Sequence, residues 1–190
     1  MSIHVALIYG STREGRFCDK VAGWAAAEIL NRNEFTLDTI DPATLALPDR
    51  HTREESPALI ELRERLEKAD AFVIVTPEYN HSYPAALKFL IDCVSDEWRA
   101  KPVAFVSYGG GSGGLRAVEH LRAVFSELHA VSVRNTVGFA FAWSQFDSAG
   151  KLLAPDAPRK SMTAMLDQLR WWAVALRNAR QAAPYGQAAA

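Results

Sequence analysis

The sequence has few cysteines, no long apolar run and no excess of charge of either sign. Its 190 residues contain two cysteines, Cys18 and Cys93, which lie far apart in different predicted elements. This usage indicates the reduced thiols of a cytoplasmic protein, not a disulfide framework. The sequence has no run of about 18 apolar residues, so no membrane-spanning helix is predicted. The first residues lack the basic segment of a signal peptide, so none is expected. The formal net charge of −1, with both signs interspersed, predicts neither nucleic-acid nor membrane binding.

The sequence also lacks the usual catalytic constellations. Its five histidines are scattered and nothing spaces them as metal ligands, so no metal is expected. No nucleophile stands beside a recognisable base and an orienting group. The first glycine-containing loop lacks the lysine and hydroxyl residue that follow the second glycine of a nucleoside triphosphate P-loop. These absences favour chemistry carried by a cofactor, with the protein supplying the binding site and its electrostatics.

What the sequence does contain is a regular alternation of apolar strands and amphipathic helices. Strands are predicted at residues 3–9, 35–40, 71–75, 102–107 and 130–133. Helices are predicted at residues 17–31, 57–68, 84–91, 115–128 and 156–179, with a polar link at residues 96–101 and an irregular segment at residues 138–150. Leu115 is expected in the buried stripe of the fourth helix and Trp172 on the buried face of the last. The pattern predicts an α/β fold, a three-layer doubly wound sandwich around a five-stranded parallel sheet of flavodoxin-like order 2-1-3-4-5. One domain is expected at 1–180, followed by a flexible tail at 181–190.

The turn after the third strand, residues 76–84, is rich in polar and aromatic groups. Between Pro77 and Pro84 lie a carboxylate, an amide, an imidazole, a hydroxyl and a pair of aromatic rings. Open α/β sheets bind ligands at the carboxyl ends of their central strands. The turn is therefore predicted to hold a flat, polar ligand. A connection that is merely rich in turn-forming residues is the alternative interpretation.

A second polar turn joins the first strand to the first helix. Helix N-termini favour anions, Ser11 and Thr12 add hydroxyl donors, and Arg13 and Arg16 add positive charge. A phosphate monoester is therefore predicted here, with an ordinary strand-to-helix turn as the alternative. Cys18, at the start of the helix, could have a lowered pKa, although a small packed residue is the simpler interpretation.

The loop after the fourth strand is built from glycines. The spacing Gly109-x-Gly111-x-x-Gly114 matches the dinucleotide fingerprint by letter, but that fingerprint belongs after the first strand. We interpret these glycines as a backbone surface against which a flat ring lies close, with a flexible loop as the alternative. Two further segments, 43–55 and 139–146, are expected to shape the mouth of the pocket.

Together the three loops resemble the NADPH-dependent FMN reductase family of flavodoxin-like flavoproteins, which includes quinone, azo-dye and chromate reductases. The resemblance is carried by Gly10-Ser11-Thr12-Arg13, Pro77-Glu78-Tyr79-Asn80 and Ser107-Tyr108-Gly109-Gly110, with Arg116-Ala117. It implies FMN with its phosphate at Ser11, Arg13, Arg16, Phe17 and Cys18. It implies the flavin ring along Pro77, Glu78, Tyr79 and Asn80, with its pyrimidine edge at Ser107, Tyr108, Gly109, Gly110 and Gly111. Many members carry Ser and Asn where this chain has Arg16 and Cys18.

The resemblance also implies an activity and partners. NADPH or NADH would pass a hydride to the flavin, and a small acceptor would then collect two electrons; quinones, free flavin, azo compounds and metal oxyanions are the expected acceptors. Backbone N–H groups of residues 109–111 would face the negative charge that develops on the flavin. No side chain need donate a proton, so the catalytic residues are unknown. A homodimer or homotetramer is implied, in which a neighbouring subunit completes the flavin site.

Three other functions are left open by the residues themselves. A flavodoxin-type electron carrier fits the fold, although such carriers are usually strongly acidic. A hydrolase or transferase would use Glu78 and His81, with Ser11, Ser82 or Cys18 as the nucleophile. A flavin-free relative is the third alternative, because a fold does not imply a function.

Overall fold

A computed structural model describes residues 2–52 and 54–186 and contains five strands and five α-helices in alternation. The strands are β1 Ile3–Tyr9, β2 Phe35–Ile40, β3 Ala71–Pro77, β4 Pro102–Gly109 and β5 Val131–Ala140. The helices are α1 Cys18–Leu30, α2 Pro57–Lys68, α3 Ala85–Asp92, α4 Leu115–Glu127 and α5 Asp156–Ala182. Short 3₁₀ turns occupy Asp96–Trp98 and Ala142–Ser144. In this part of the chain no helix is long and apolar enough to cross a membrane.

The strands form one parallel sheet in the order β2-β1-β3-β4-β5, which confirms the predicted fold. Every residue of β3 is buried, as expected for a central strand covered on both faces. α1 and α5 pack on one face of the sheet, and α2, α3 and α4 on the other. Ser56 caps α2, accepting a hydrogen bond from the backbone N–H of Leu59 at 3.3 Å, with Pro57 at the first helical position.

β5 continues to Ala140, although the sequence predicted an end at residue 133 and an irregular segment from residue 138. The strand contains a bulge, because residues 133–135 face the single residue 104 of β4. Helix side chains satisfy the backbone of the bulge: Arg122 donates to the carbonyls of Val133 (2.7 Å) and Arg134 (3.0 Å). The polar residues that seemed to end the strand are therefore accommodated inside it.

Residues 96–101, predicted as a polar link, contain three buried residues, Trp98, Ala100 and Lys101. Trp98 is fully buried between Phe72 and Phe125, and its indole N–H donates to the carbonyl of Ile91 at 3.1 Å. Lys101 is also buried; its ammonium donates to the last carbonyls of α2, at 2.8 and 2.9 Å. Burial lowers the pKa of Lys101 to about 8.

Two predicted helix faces differ in detail from the structure. Leu115, placed in the buried stripe of α4, is 55% exposed, and Trp172, placed on the buried face of α5, is 37% exposed. The expected tail begins later than residue 181, because α5 runs to Ala182. The tail is also anchored where it can be described, since the Tyr185 hydroxyl lies 2.8 Å from His129 Nδ1. Residues 187–190 of that predicted tail lie outside the described residues.

Candidate functional site

A cleft of about 500 Å³ opens at the carboxyl edge of the sheet, where the loops after β1, β3 and β4 meet. Strand register places these ends together, because Tyr9 pairs with Val75 and Pro77 pairs with Tyr108. Among the predicted site residues, those that line the cleft are Arg13, Arg16, Phe17, Pro77, Glu78, Tyr79, Tyr108, Gly109 and Gly110. Ser11, Cys18, Asn80, Ser107 and Gly111 support the same loops without lining the cleft.

The loop after β1 is held tightly against β3. A Cβ at Gly10 would lie 2.7 Å from the carbonyl oxygen of Val75, so only glycine fits there. Ser11 is buried, and its hydroxyl accepts from the backbone N–H of Arg13 (3.3 Å) and shares a 3.2 Å hydrogen bond with the hydroxyl of Tyr79. Among the residues that the structure describes, no side chain caps the N-terminus of α1. Its first N–H groups are therefore available to an anion.

Arg16 points into the protein and not into open solvent. Its guanidinium donates to the Ser11 carbonyl (2.5 Å) and to both carboxylate oxygens of Asp41, and its Nε donates to Asp19 (2.7 Å). The hydrogen bonds that Arg16 donates to Asp41 are the main reason that the pKa of Arg16 is raised. Burial works to raise the pKa of Asp41, but hydrogen bonds from Arg16 and the Ala43 N–H hold it below its ordinary value. Arg16 thus fixes the loop, and Arg13 is its exposed cation.

The Cys18 side chain lies beneath the loop, in the core. It is fully buried, and its Sγ lies 3.6 Å from the carbonyl oxygen of Val75. Burial raises the pKa of this thiol to about 11, so the lowered pKa considered from sequence is wrong. Any contact of Cys18 with a phosphate must use its backbone N–H.

The loop after β3 contains a tight hairpin turn. Tyr79 and Ser82 exchange backbone hydrogen bonds of 2.8 and 3.0 Å. Asn80 and His81, between them, both have positive φ, 49° and 68°, as in a type I′ turn. Their exposed side chains do not line the cleft.

The Glu78 side chain, at the edge of the cleft, caps the start of α4. Its carboxylate accepts from the Ser112 hydroxyl (2.8 Å), from the backbone N–H of Arg116 (3.1 Å) and from the Arg116 Nε (2.6 Å). Burial works to raise the pKa of Glu78, but these hydrogen bonds hold it below its ordinary value. The Glu78 carboxylate is thus engaged by Ser112 and Arg116, and among the described residues it forms no hydrogen bond with His81.

The glycine loop depends on close backbone contacts. Gly114 caps α4 with φ at 87°, and a Cβ there would lie 2.6 Å from Ser107 Cβ. The Ser107 hydroxyl donates to the carbonyl of Gly113 at 2.8 Å. The glycines therefore hold a defined loop in place and leave the backbone of Gly109 and Gly110 bare at the cleft.

Two exposed aromatic residues after β5 adjoin the glycine loop. Trp143 lines the cleft, and Phe141 lies beside Gly111. Phe139 and Phe146, from the same predicted segment, are buried in the core. The segment 43–55, also expected at the mouth, supplies no lining residue among those described. Its His51 stacks on Phe89, with ring centroids 4.4 Å apart. No sequence signal separated the cleft-lining aromatic residue from its buried neighbours.

Several relatives and solved structures resemble this chain. An NAD(P)H:quinone oxidoreductase of Solanum tuberosum is 33% identical to this chain, in an alignment that covers 93% of this chain and 95% of the relative. A quinone reductase of Pseudomonas putida is 32% identical, in an alignment that covers 88% of this chain and 93% of the relative. The solved structure of FerB from Paracoccus denitrificans, a flavoenzyme NAD(P)H:(acceptor) oxidoreductase, superposes with a TM-score of 0.74 at 21% identity, covering 89% of this chain and 98% of FerB. That likeness shows the fold.

The family described as NADPH-dependent FMN reductase matches residues 3–144, about three quarters of the chain and all three ligand loops. This match confirms the predicted enzyme class, an NAD(P)H-dependent oxidoreductase, and the predicted cofactor, FMN. The chain therefore belongs to the NADPH-dependent FMN reductase family.

Proposed function

We propose that the protein passes two electrons from NAD(P)H, through FMN bound in the cleft, to a small acceptor such as a quinone. Free flavin, azo compounds and metal oxyanions are further candidate acceptors. The observation that carries this proposal is the convergence of an uncapped helix N-terminus, an exposed arginine and a bare glycine backbone on one cleft. Two relatives named as quinone reductases favour a quinone.

The cleft fits FMN at both ends. We assign the phosphate to the first loop, where the N–H groups of Phe17 and Cys18 and the side chains of Ser11 and Arg13 would hold it. Arg16 has its guanidinium engaged by Asp41, so its part is to keep the loop in shape. A volume of about 500 Å³ lies within the range of cofactor pockets.

The flavin ring is assigned to the other end of the cleft. Pro77 and Tyr79 would flank it, with Glu78 and Asn80 contributing backbone, and the bare backbone of Gly109, Gly110 and Gly111 would face its pyrimidine edge. Tyr108 closes the floor, and Ser107 holds the glycine loop from below. The residues assigned on the cleft geometry together with the family resemblance are Pro77, Glu78, Tyr79, Tyr108, Gly109 and Gly110. Asn80, Ser107 and Gly111 do not line the cleft, and their assignment rests on the resemblance.

When bound, FMN supplies the hydride chemistry, accepting from NAD(P)H and passing two electrons on to the acceptor. The chain supplies orientation and charge stabilisation. Backbone N–H groups at residues 109–111 would stabilise negative charge at the flavin edge, as preorganised donors do in an oxyanion hole. Phe17 and Tyr108, which both line the cleft and whose ring centroids are 6.0 Å apart, would shield this part of the site from water.

We also propose that the protein is a homodimer or homotetramer. The support within the chain is apolar surface on α5, where Trp171 is 63% exposed and packs edge-to-face on Trp172 at 4.9 Å. Light scattering of wild-type protein and of Trp171→Ala tests this directly. A wild-type protein of monomer mass would end the proposal.

The test of the proposed function is an anaerobic titration. Protein is loaded with FMN, freed of excess, and mixed with NADPH or NADH while the blue absorption band of the flavin is followed. We expect rapid bleaching that a quinone reverses. Bound flavin that stays oxidised would indicate an electron carrier, and flavin that never binds would refute both functions.

A pair of arginine variants tests the phosphate assignment. We expect Arg13→Ala to weaken FMN binding about tenfold or more, because one charge-assisted hydrogen bond contributes about 1.5–3 kcal/mol. Arg134→Ala removes an equally exposed cation of β5 that lies outside the cleft, and should leave FMN binding unchanged. Equal FMN dissociation constants for the two variants would contradict the assignment.

A further inference from the structure

The segment after β5 has a strained backbone. Phe141 has φ 48° and ψ 49°, a left-handed conformation that a bulky L-residue rarely adopts. Its N–H donates to the carbonyl of Gly110 at 3.0 Å, and its own carbonyl accepts from the N–H and hydroxyl of Ser144 at 2.9 and 2.8 Å. Such strain persists only where the surroundings hold it, and it concentrates at ligand sites.

The strained turn presents two aromatic rings to solvent beside the glycine loop. Ala142 is fully buried and anchors the turn, whereas Phe141 and Trp143 on either side of it are 54% and 63% exposed. The two rings meet edge-to-face, with centroids 6.0 Å apart. Large exposed aromatic side chains are unfavourable in water, and their presence at a cleft indicates something that covers them.

The position of these rings relates them to the flavin edge. A Cβ built at Gly110 would lie 4.0 Å from Cη2 of Trp143, and one at Gly111 would lie 3.6 Å from Cζ of Phe141. Trp143 also lines the cleft, as its contribution from beyond β5. The indole thus forms a wall next to the backbone at which the flavin ring is assigned.

We propose that Trp143, held in place by Phe141, is the specificity-determining residue of the acceptor site and selects planar conjugated acceptors over compact ones. This inference rests on the proposed function and names the acceptor class, flat quinone-like rings. Aromatic rings prefer offset or edge-to-face packing on one another, which an exposed indole beside the flavin offers to a flat acceptor. A compact acceptor gains nothing from that surface.

The test compares Trp143→Ala, Trp143→Phe and the control Tyr185→Ala, each saturated with FMN. Tyr185 is 52% exposed and packs against His129, at the amino end of β5 and away from the cleft. Menadione serves as the planar probe and ferricyanide as the compact one. Calorimetry gives the binding of menadione to the oxidised protein, and steady-state rates with NADPH give kcat and KM for both acceptors.

We expect Trp143→Ala to weaken menadione binding, and to raise its KM, about fivefold to tenfold, with kcat and the ferricyanide constants little changed. Trp143→Phe should retain most of the affinity and Tyr185→Ala all of it. Equal menadione binding by Trp143→Ala and Tyr185→Ala overturns the inference, as does a matching loss for ferricyanide or a wild-type protein that does not bind menadione. If NADPH fails to bleach the flavin while menadione binding still depends on Trp143, the proposed function fails and the acceptor site stands.

Discussion

Gly114 offers the sharpest test of how the glycine loop is built. Alanine at this position meets two obstacles, a left-handed backbone with φ at 87° and a contact of 2.6 Å with Ser107 Cβ. The conformation costs an L-residue about 1–2 kcal/mol, and forcing extra atoms into a packed site costs about 1–3 kcal/mol more. We expect Gly114→Ala to lower the free energy of unfolding by about 2–5 kcal/mol, from the sum of those two ranges.

Gly150 provides the matched control, because it separates the backbone effect from the contact. Its φ is 82°, almost that of Gly114, but the nearest atom to its added Cβ would be Lys20 Cγ at an ordinary 3.5 Å. Gly150→Ala should therefore lose only the conformational part, about 1–2 kcal/mol. Urea unfolding of the two flavin-free variants measures the difference. Equal losses would refute the close contact between Gly114 and β4 as the reason for glycine.

Three further predictions concern the first loop and the start of α1. Arg16→Met should lower the free energy of unfolding by about 2 kcal/mol, between the values for exposed and buried salt bridges. Asp41→Asn should make unfolding less sensitive to acid. Because the pKa of Asp41 is lowered in the folded state, its stabilisation is present above about pH 4 and is lost as the pH falls below that; unchanged acid sensitivity in Asp41→Asn would contradict this. Native Cys18, with its pKa near 11, should react with iodoacetamide at pH 8 at least about 100-fold more slowly than in urea; equal rates would contradict its burial.

The sequence was sufficient for the sheet order, because uninterrupted apolar runs such as 71–75 are typical of central parallel strands. The sequence did not predict the structure at places where a polar residue has its hydrogen-bonding partner far away along the chain. β5 continues past Arg134 because Arg122, on α4, donates a hydrogen bond to the carbonyl of Arg134. Trp98 seemed to belong to a polar link because its neighbours in sequence are charged, whereas its neighbours in space are Phe72 and Phe125.

The site shows the same limit. The loops that form the cleft could be predicted from their residue types, but the direction of each charged side chain could not. Arg16 pairs with Asp41, 25 residues away, and Glu78 pairs with Arg116, 38 residues away. Neither pair has a local pattern, so two groups expected at the ligand instead hold the loops. Trp143 escaped individual prediction because its exposure follows from the conformation of Phe141.

The ion pairs of Arg16 and Glu78 allow the ligand loops to fold before the cofactor binds. Both ligand loops are fixed by charges within the chain, so the cleft can reach its final shape before any flavin arrives. We therefore expect a newly made chain to form these two loops whether or not flavin is present. Because ion pairs within the chain hold both loops, we expect flavin to enter and leave without unfolding either of them. The supply of flavin, and not the rate of synthesis of the chain, would then set how much of the protein is active.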